Sequence, residues 1–341
     1  MEQNTQRFEF HGKTGEFFKI WIVNLMLSIV TLGIYSAWAK VRTRQYFYSN
    51  TLLMNTPFDY LADPIKILKG RLLALAVILI YSFSAIISPL IQAGIMLIFI
   101  PLFPWIIIKA LKFNLYNSAY RNIRFHFSAE YLKALLIFVG LPILVALTAG
   151  LAYPYFNRER KNFILQNSAY GTHKFEFSAT TSQFYSVYLK TLAVIIIALI
   201  FLGAMYFVIP MAIPMDKSVV GVYVPIIIIF MFYPALMIVF GYLYTTIANL
   251  TINHTQLKTY QFESNLETGK ICWLFFSNIV AIICSFGLLI PWAMIRTAKY
   301  RISCLAVMGD EDPEIFIAAE AEKADAVGEE LGDLLDIDIG L

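Results

Sequence analysis

Residues 38–60 read WAKVRTRQYFYSNTLLMNTPFDY. Seven positions of this stretch, Trp38, Arg42, Tyr46, Asn50, Thr51, Phe58 and Tyr60, return at fixed spacing after later apolar blocks. The second copy is Trp105, Lys109, Phe113, Asn117, Ser118, Phe125 and Phe127; the third keeps Tyr155, Phe163, Asn167, Ser168, Phe175 and Phe177. In all three the first aromatic precedes the Asn by 12 residues and a Phe follows it by 8. Apolar runs recur by composition alone, but polar and aromatic residues locked in spacing do not. The chain reads as one multiplied unit.

The unit carries its own local structure. Trp38, Arg42 and Tyr46 stand four apart and share one face of a helix. An aromatic beside a cation at the end of a membrane helix is an interfacial anchor, its charge snorkelling to phosphates. Trp38, Arg42, Tyr46, Trp105, Lys109, Trp292, Arg296 and Tyr300 are therefore candidate lipid-headgroup and interface anchors. Phe-x-Phe has period two, the mark of a short half-buried strand, and Asn55, Asn122 and Gly171 supply turns before it. Each connection reads as a helix end followed by a small β-hairpin, with the Asn-Thr/Ser pairs at 50, 117 and 167 capping or turning the chain. Phe8-x-Phe10 supplies an opening strand.

The last copy matches the first most closely: Asn24, Thr31-Leu32-Gly33, Trp38-Ala39, Arg42 and Tyr46 correspond to Asn278, Ser285-Phe286-Gly287, Trp292-Ala293, Arg296 and Tyr300. The fourth is degenerate: Asn253 precedes Tyr260-x-Phe262 across a loop one residue short, with Gly241 at the Trp position. The fifth has Cys304 where Asn is expected. The repeats run about 8–60, 58–127, 125–177, 175–262 and 260–308, forming a membrane domain over residues 1–308, with an acidic tail at 309–341.

Composition places these repeats in lipid. The chain is 59% hydrophobic with mean hydropathy +0.68 and 14% charged residues, against about 25% charged in soluble domains. Seven apolar windows, about 17–37, 72–91, 93–112, 132–153, 186–209, 223–246 and 271–292, approach the roughly 20 residues that cross a bilayer core as a helix. Ala37-Trp38-Ala39 resembles a leader cleavage site, but the leading segment is mixed in charge and the phrase returns near residue 292. The expected fold is an all-α polytopic membrane protein of about seven transmembrane helices with short interfacial hairpins. Seven crossings put the repeated phrase on both faces. In the alternative the short blocks are re-entrant, and 24 of the 25 Lys and Arg of residues 1–308, all but Lys217, fall on one face.

Residues 1–308 hold 25 Lys+Arg against 11 Asp+Glu, and residues 309–341 one Lys against 12 acids. The scattered basic charge suits anionic lipids and not nucleic acid. The tail could fold as an amphipathic helix that docks on basic connections such as Arg296, Lys299 and Arg301, or recruits a protein partner. Cys272, Cys284 and Cys304 make no metal or disulfide spacing, and His11, His126, His173 and His254 form no ligand pair. No nucleophile elbow, phosphate loop or paired carboxylates occur, so no enzyme activity and no cofactor are expected.

The phrases Phe-x-Phe-x-Gly, Asn24…Thr31-Leu32-Gly33-Ile34-Tyr35-x2-Trp38-Ala39 and Arg42…Tyr46…Asn50-Thr51 resemble the YjgN-type family of bacterial inner-membrane proteins. That resemblance implies a bacterial inner membrane and brings no activity or catalytic residue. No ionisable residue lies in the middle of an apolar block, which counts against an ion-coupled pump. Asn24 and Asn278, buried amides in matching blocks, are the candidate intramembrane polar site, as helix-packing contacts or along a substrate path. The expected function is transport or handling of a small apolar or lipid-like molecule, with membrane lipids as partners. The alternative is a non-catalytic envelope scaffold acting through the connections and tail. A cytoplasmic C-terminus is expected.

Overall fold

The computed structural model describes residues 4–212 and 217–309; the acidic tail from residue 310 lies outside the described residues. The first strand, β1 (Asn4–Phe10), is followed by two helices, α1 (Thr14–Val30) and α2 (Ser36–Ser49), and by the hairpin β2 (Thr51–Leu53) and β3 (Thr56–Tyr60). The pattern of two helices and a hairpin then repeats. α3 (Pro64–Ile87) and α4 (Pro89–Tyr116) precede β4 (Ser118–Tyr120) and β5 (Ile123–Phe127). Next come α5 (Tyr131–Leu135), a π-helical turn (Leu136–Gly140), α6 (Leu141–Leu147) and α7 (Tyr153–Gln166), then β6 (Ser168–Tyr170) and β7 (His173–Phe177). α8 (Thr181–Ala212) and α9 (Lys217–Asn253) lead to β8 (Thr255–Leu257) and β9 (Tyr260–Ser264), and α10 (Thr268–Cys284) and α11 (Ile290–Ser303) to the final strand β10 (Leu305–Gly309).

The hairpins close on one another. Their order is β1-β10-β9-β8-β7-β6-β5-β4-β3-β2, antiparallel throughout, with β2 returning to β1. The two ends of the described chain pair antiparallel in the place a fifth hairpin would take: Arg7 pairs with Ala306 and Thr5 with Met308. The turns are two residues long where Leu53 pairs with Thr56 and Tyr120 with Ile123. Met54-Asn55 and Arg121-Asn122 take positive φ at both turn residues, the conformation that matches strand twist.

This ring overturns the all-α expectation. Local period-two patterning shows isolated hairpins; only tertiary hydrogen bonding joins them into a barrel with no free edge. It also overturns seven crossings. All ten strands share one sheet, and a bilayer cannot divide a closed hydrogen-bonded ring, so every helical block must leave and return on the same face. Each block indeed holds a helix pair. The windows at 17–37, 132–153 and 271–292, read from apolar length as single spans, are a helix, a reversal and the start of a second helix. The reversals are alike. Leu32, Ala149 and Phe286 have φ near +50° and Gly33, Gly150 and Gly287 φ near +90°. The Gly33 N–H donates to Ser28 O at 2.7 Å, and Gly150 and Gly287 do the same to Val145 O and Ile282 O at 2.8 Å, the glycine stop of a helix. Thr31, Thr148 and Ser285 accept the Tyr35, Ala152 and Leu289 N–H groups at 2.9, 3.1 and 3.0 Å, starting the returning helix.

Among the described residues four helical spans are long and apolar enough to cross a membrane: Pro64–Ile87, Pro89–Tyr116, Thr181–Val208 and Phe232–Asn253. Their flanks expose Leu72, Leu75, Ile98 and Ile200, as lipid-facing helices do. Every helix packs on the next around the ring, and α11 closes onto α1. α9 meets α10 closely at Gly241, where a Cβ would stand 2.3 Å from Cys272 Sγ. Gly241→Ala is expected to lower stability by about 1–3 kcal/mol. Adding Cys272→Ala, which removes the sulfur and keeps a Cβ at 3.7 Å, should recover most of it, as read by thermal melting of the two variants. A double variant no better than the single one refutes that contact as the cause.

The strand starts are capped alike. Asn50, Asn117 and Asn167 donate through Nδ2 to the carbonyl four residues back at 2.7–2.8 Å, and Thr51, Ser118 and Ser168 do so through their hydroxyls at 2.6–2.9 Å. In the fourth copy His254 Nδ1 meets Leu250 O at 2.9 Å and Thr255 donates to Thr251 O at 2.7 Å. His254-Thr255 therefore occupies the Asn-Thr place, and that copy is in register after all. Its loop is not short, and Tyr242, not Gly241, stands at the Trp position.

Candidate functional site

The residue eight places after each capping Asn50, Asn117, Asn167 or His254, together with its β1 counterpart Phe8, faces the barrel axis. Phe8, Phe58, Phe125, Phe175 and Phe262 pair directly across the strands with Leu53, Tyr120, Tyr170, Leu257 and Val307. The result is a belt of ten apolar side chains at one level, one from each strand. Neighbouring rings touch around it: Phe8 and Phe58 at 6.1 Å, Phe58 and Tyr120 at 4.6 Å, Phe125 and Tyr170 at 5.0 Å, Phe175 and Phe262 at 5.9 Å. The second residue of each pair, Phe10, Tyr60, Phe127, Phe177 or Ser264, lies deeper and is buried.

The belt separates two chambers. The outer one, about 210 Å³, is the barrel mouth, reaching Gln6, Met54, Tyr260 and Gly309. The inner one, about 500 Å³, lies between the helix ends and is lined by Leu111, Leu115, Ile164, Leu165 and Ile252. Phe8, Phe125, Phe175 and Phe262 wall both. A ten-stranded ring is wider than the eight strands that side chains fill, which is why space remains on the axis.

Most polar groups of the walls, Glu263 of the inner chamber apart, are turned back onto the protein. Tyr120 OH donates to Leu53 O at 2.7 Å and Tyr170 OH to Tyr120 O at 3.0 Å. Burial raises the Tyr120 phenol above its ordinary range, so it stays a donor. Asn114 Nδ2 donates to Ala110 O at 2.8 Å, while Ser168 donates to Ile164 O of the preceding helix at 2.6 Å and Thr251 to Ile247 O of its own at 2.7 Å. The axis therefore presents ring faces and methyl groups. Such a surface binds by removing apolar area from water, roughly 25 cal/mol per Å², and offers little to recognise a charged ligand.

The residues singled out from sequence lie elsewhere. Asn278 Nδ2 donates to Thr297 Oγ1 at 3.0 Å and to Ala293 O at 3.5 Å, and its Oδ1 accepts from Arg296 at 3.2 Å. It ties α10 to α11. Asn24 is buried in α1 with neither amide atom hydrogen-bonded. The two do not bond each other, and neither lines a chamber. Lys109 lies over Trp105 at 5.8 Å and Arg296 over Trp292 at 5.0 Å, while Arg42 turns to Tyr35 at 5.6 Å and Trp38 stacks on Tyr35 at 6.0 Å. The tyrosines join helix ends: Tyr46 OH donates to Lys13 O at 2.9 Å and accepts from Lys13 N at 2.8 Å, and Tyr300 OH accepts from Glu267 N at 3.0 Å. No group of three or more His, Cys, Asp or Glu that could hold a metal occurs among the described residues.

Residues 5–334 match the family model described as "Bacterial protein of unknown function (DUF898)". The chain belongs to this DUF898 family. Among curated relatives, the inner membrane protein YjgN of Salmonella typhimurium is 31% identical over 40% of this chain and 35% of its own length. Its counterparts from Escherichia coli O157:H7 and strain K12 are 27% and 26% identical, each over 45% of this chain and 39% of their own. The chain thus spans little more than a third of the curated relatives it matches. No solved structure matches the chain. Inner-membrane relatives and four membrane-length apolar helices agree on a membrane protein.

Proposed function

We propose that this DUF898 protein is a multi-pass inner-membrane protein, without catalytic activity, that takes an apolar or lipid-like molecule into the axis of its barrel. The belt between two apolar chambers supports this reading. A ring of aromatic faces with its hydroxyls tied off favours a hydrocarbon over water, and a narrow apolar ring resists passage of ions by dewetting. The barrel sits on the cytoplasmic face in this reading. The basic residues cluster on the barrel side of the long helices and on the short pairs, whereas Lys217 begins α9 at the opposite end. The C-terminus leaves from β10 on that same cytoplasmic face.

The test is to fill the axis. Leu257→Trp and Phe175→Trp enlarge side chains that face free space, so the fold should tolerate them. Apolar species enriched in detergent-purified wild type relative to the membrane extract, measured by mass spectrometry, should fall at least about tenfold in either variant, a change worth about 1.4 kcal/mol of binding. Equal enrichment in wild type and both variants, or none in any, would reject an axial ligand.

A further inference from the structure

The face of α2 opposed to α3 carries a row of cations that the axial cavity does not use. Ser36, Lys40 and Arg44 stand four apart on α2, one stripe with steps of about 6 Å. Arg71 of α3 donates to Ser36 Oγ and so adds its guanidinium to the head of that stripe. Arg44 is held at the other end, donating to Tyr60 OH at 2.8 Å and to Asn114 Oδ1 at 2.5 Å. Lys40, half-buried between them, has no hydrogen bond or ion pair among the described residues, and no carboxylate pairs with any of the three. Two fixed guanidiniums around an unpartnered ammonium is a costly arrangement by itself. Burial and the charges of Arg44 and Arg71 all push the Lys40 ammonium below its ordinary range. An anion in the row removes that repulsion, and a phosphate offers enough oxygens for three donors.

We propose that Arg71, Lys40 and Arg44 form a binding site for the phosphate of an anionic phospholipid. The apolar neighbourhood favours a lipid over free phosphate. Arg71 lies on a helix of membrane-spanning length, and the residues that follow it, Leu72 and Leu75, are exposed where acyl chains would lie. The site is separate from the barrel axis and stands or falls independently of an axial ligand.

The experiment compares wild type with Lys40→Gln, Arg71→Gln and a control, Lys133→Gln, which removes an exposed cation already paired with Glu130. Each full-length protein is purified in detergent and titrated with phosphatidylglycerol, phosphatidylcholine or inorganic phosphate, reading melting temperature and lipid retained in native mass spectrometry. Wild type and Lys133→Gln should retain phosphatidylglycerol over phosphatidylcholine. Lys40→Gln and Arg71→Gln should lose about tenfold of that retention. In phosphatidylcholine alone Lys40→Gln should melt at or above wild type, because repulsion is relieved, and that sign separates loss of the site from loss of the fold. Equal retention by all four proteins, an equal loss in Lys133→Gln, or the same melting shift from millimolar inorganic phosphate as from phosphatidylglycerol would overturn the lipid site.

Discussion

Single cysteines placed at Asn55, Asn122, Thr172 and Thr259, in a chain whose Cys272, Cys284 and Cys304 are replaced by Ser, will all react with a membrane-impermeant maleimide from one and the same face. These positions are in or beside the four hairpin turns of the ring. A cysteine at Leu90, in the first turn of α4 and exposed, will label from the opposite face. The effect is all-or-none. Seven single crossings would place the first two hairpins on one face and the next two on the other, so a split between Asn122 and Thr172 is the result that sinks the closed barrel. The cause is geometric: β5 and β6 exchange backbone hydrogen bonds between Phe125 and Tyr170, and a hydrocarbon core of about 30 Å cannot lie between them. The tips at Leu32 and Phe286, 95% and 98% exposed, should stay silent to the same reagent from the far face, because the proposed one-sided topology keeps these short pairs within the lipid.

Phe184→Ala and Phe17→Ala should each destabilise the protein by about 3–5 kcal/mol, the cost of removing a fully buried ring. Both are 0% exposed. Each stands at the fourth residue of its helix and seven residues after the second Phe of a Phe-x-Phe, and the place recurs as Ile67, Ala134 and Ile271, all 2% exposed or less. These five side chains lie beneath the barrel. Phe17 packs at 5.2 Å on Tyr46 and 4.9 Å on Phe47, and Phe184 at 6.4 Å on Phe177. In the third repeat the residue is Ala134, and Phe138 meets Phe163 edge-on at 5.7 Å in the same cluster. Melting in detergent measures the loss. A drop below about 1 kcal/mol for both variants would show that the helices, and not this layer, hold the barrel. Belt residues should behave differently: Phe175→Trp faces the cavity and should change bound ligand far more than stability.

Much of the local structure was legible beforehand. The capping role of Asn50 and Thr51 follows from what those side chains do to nearby carbonyls, and the strands from Phe-x-Phe alternation. The reversal at Thr148-Ala149-Gly150 was equally available, since it stands seven residues before Tyr155 as Thr31 stands before Trp38 and Ser285 before Trp292. So were the five buried residues Phe17, Ile67, Ala134, Phe184 and Ile271, through their constant seven-residue gap. Fixing Asn253 as the fourth copy's Asn hid the register, because His254 caps through a ring nitrogen and does not resemble an amide in a list of letters. Asn24 and Asn278 read as a polar site because both stand in apolar blocks, 14 residues before a Trp. Nothing in the letters shows that Asn278 bonds within its own helix pair and that both stand off the axis.

The sequence by itself determined the repeated unit, its lipid setting, its helix ends and its short strands, because these depend on contacts a few residues apart and on apolar length. Only the tertiary structure decided that four hairpins and the two end strands share one ring, that the short blocks turn back, and that Phe8, Phe58, Phe125, Phe175 and Phe262 meet at one level. Those facts depend on hydrogen bonds between residues far apart, above all the joining of β1 to β10. A period-two pattern is the same whether its strand ends in a lone hairpin or closes a barrel.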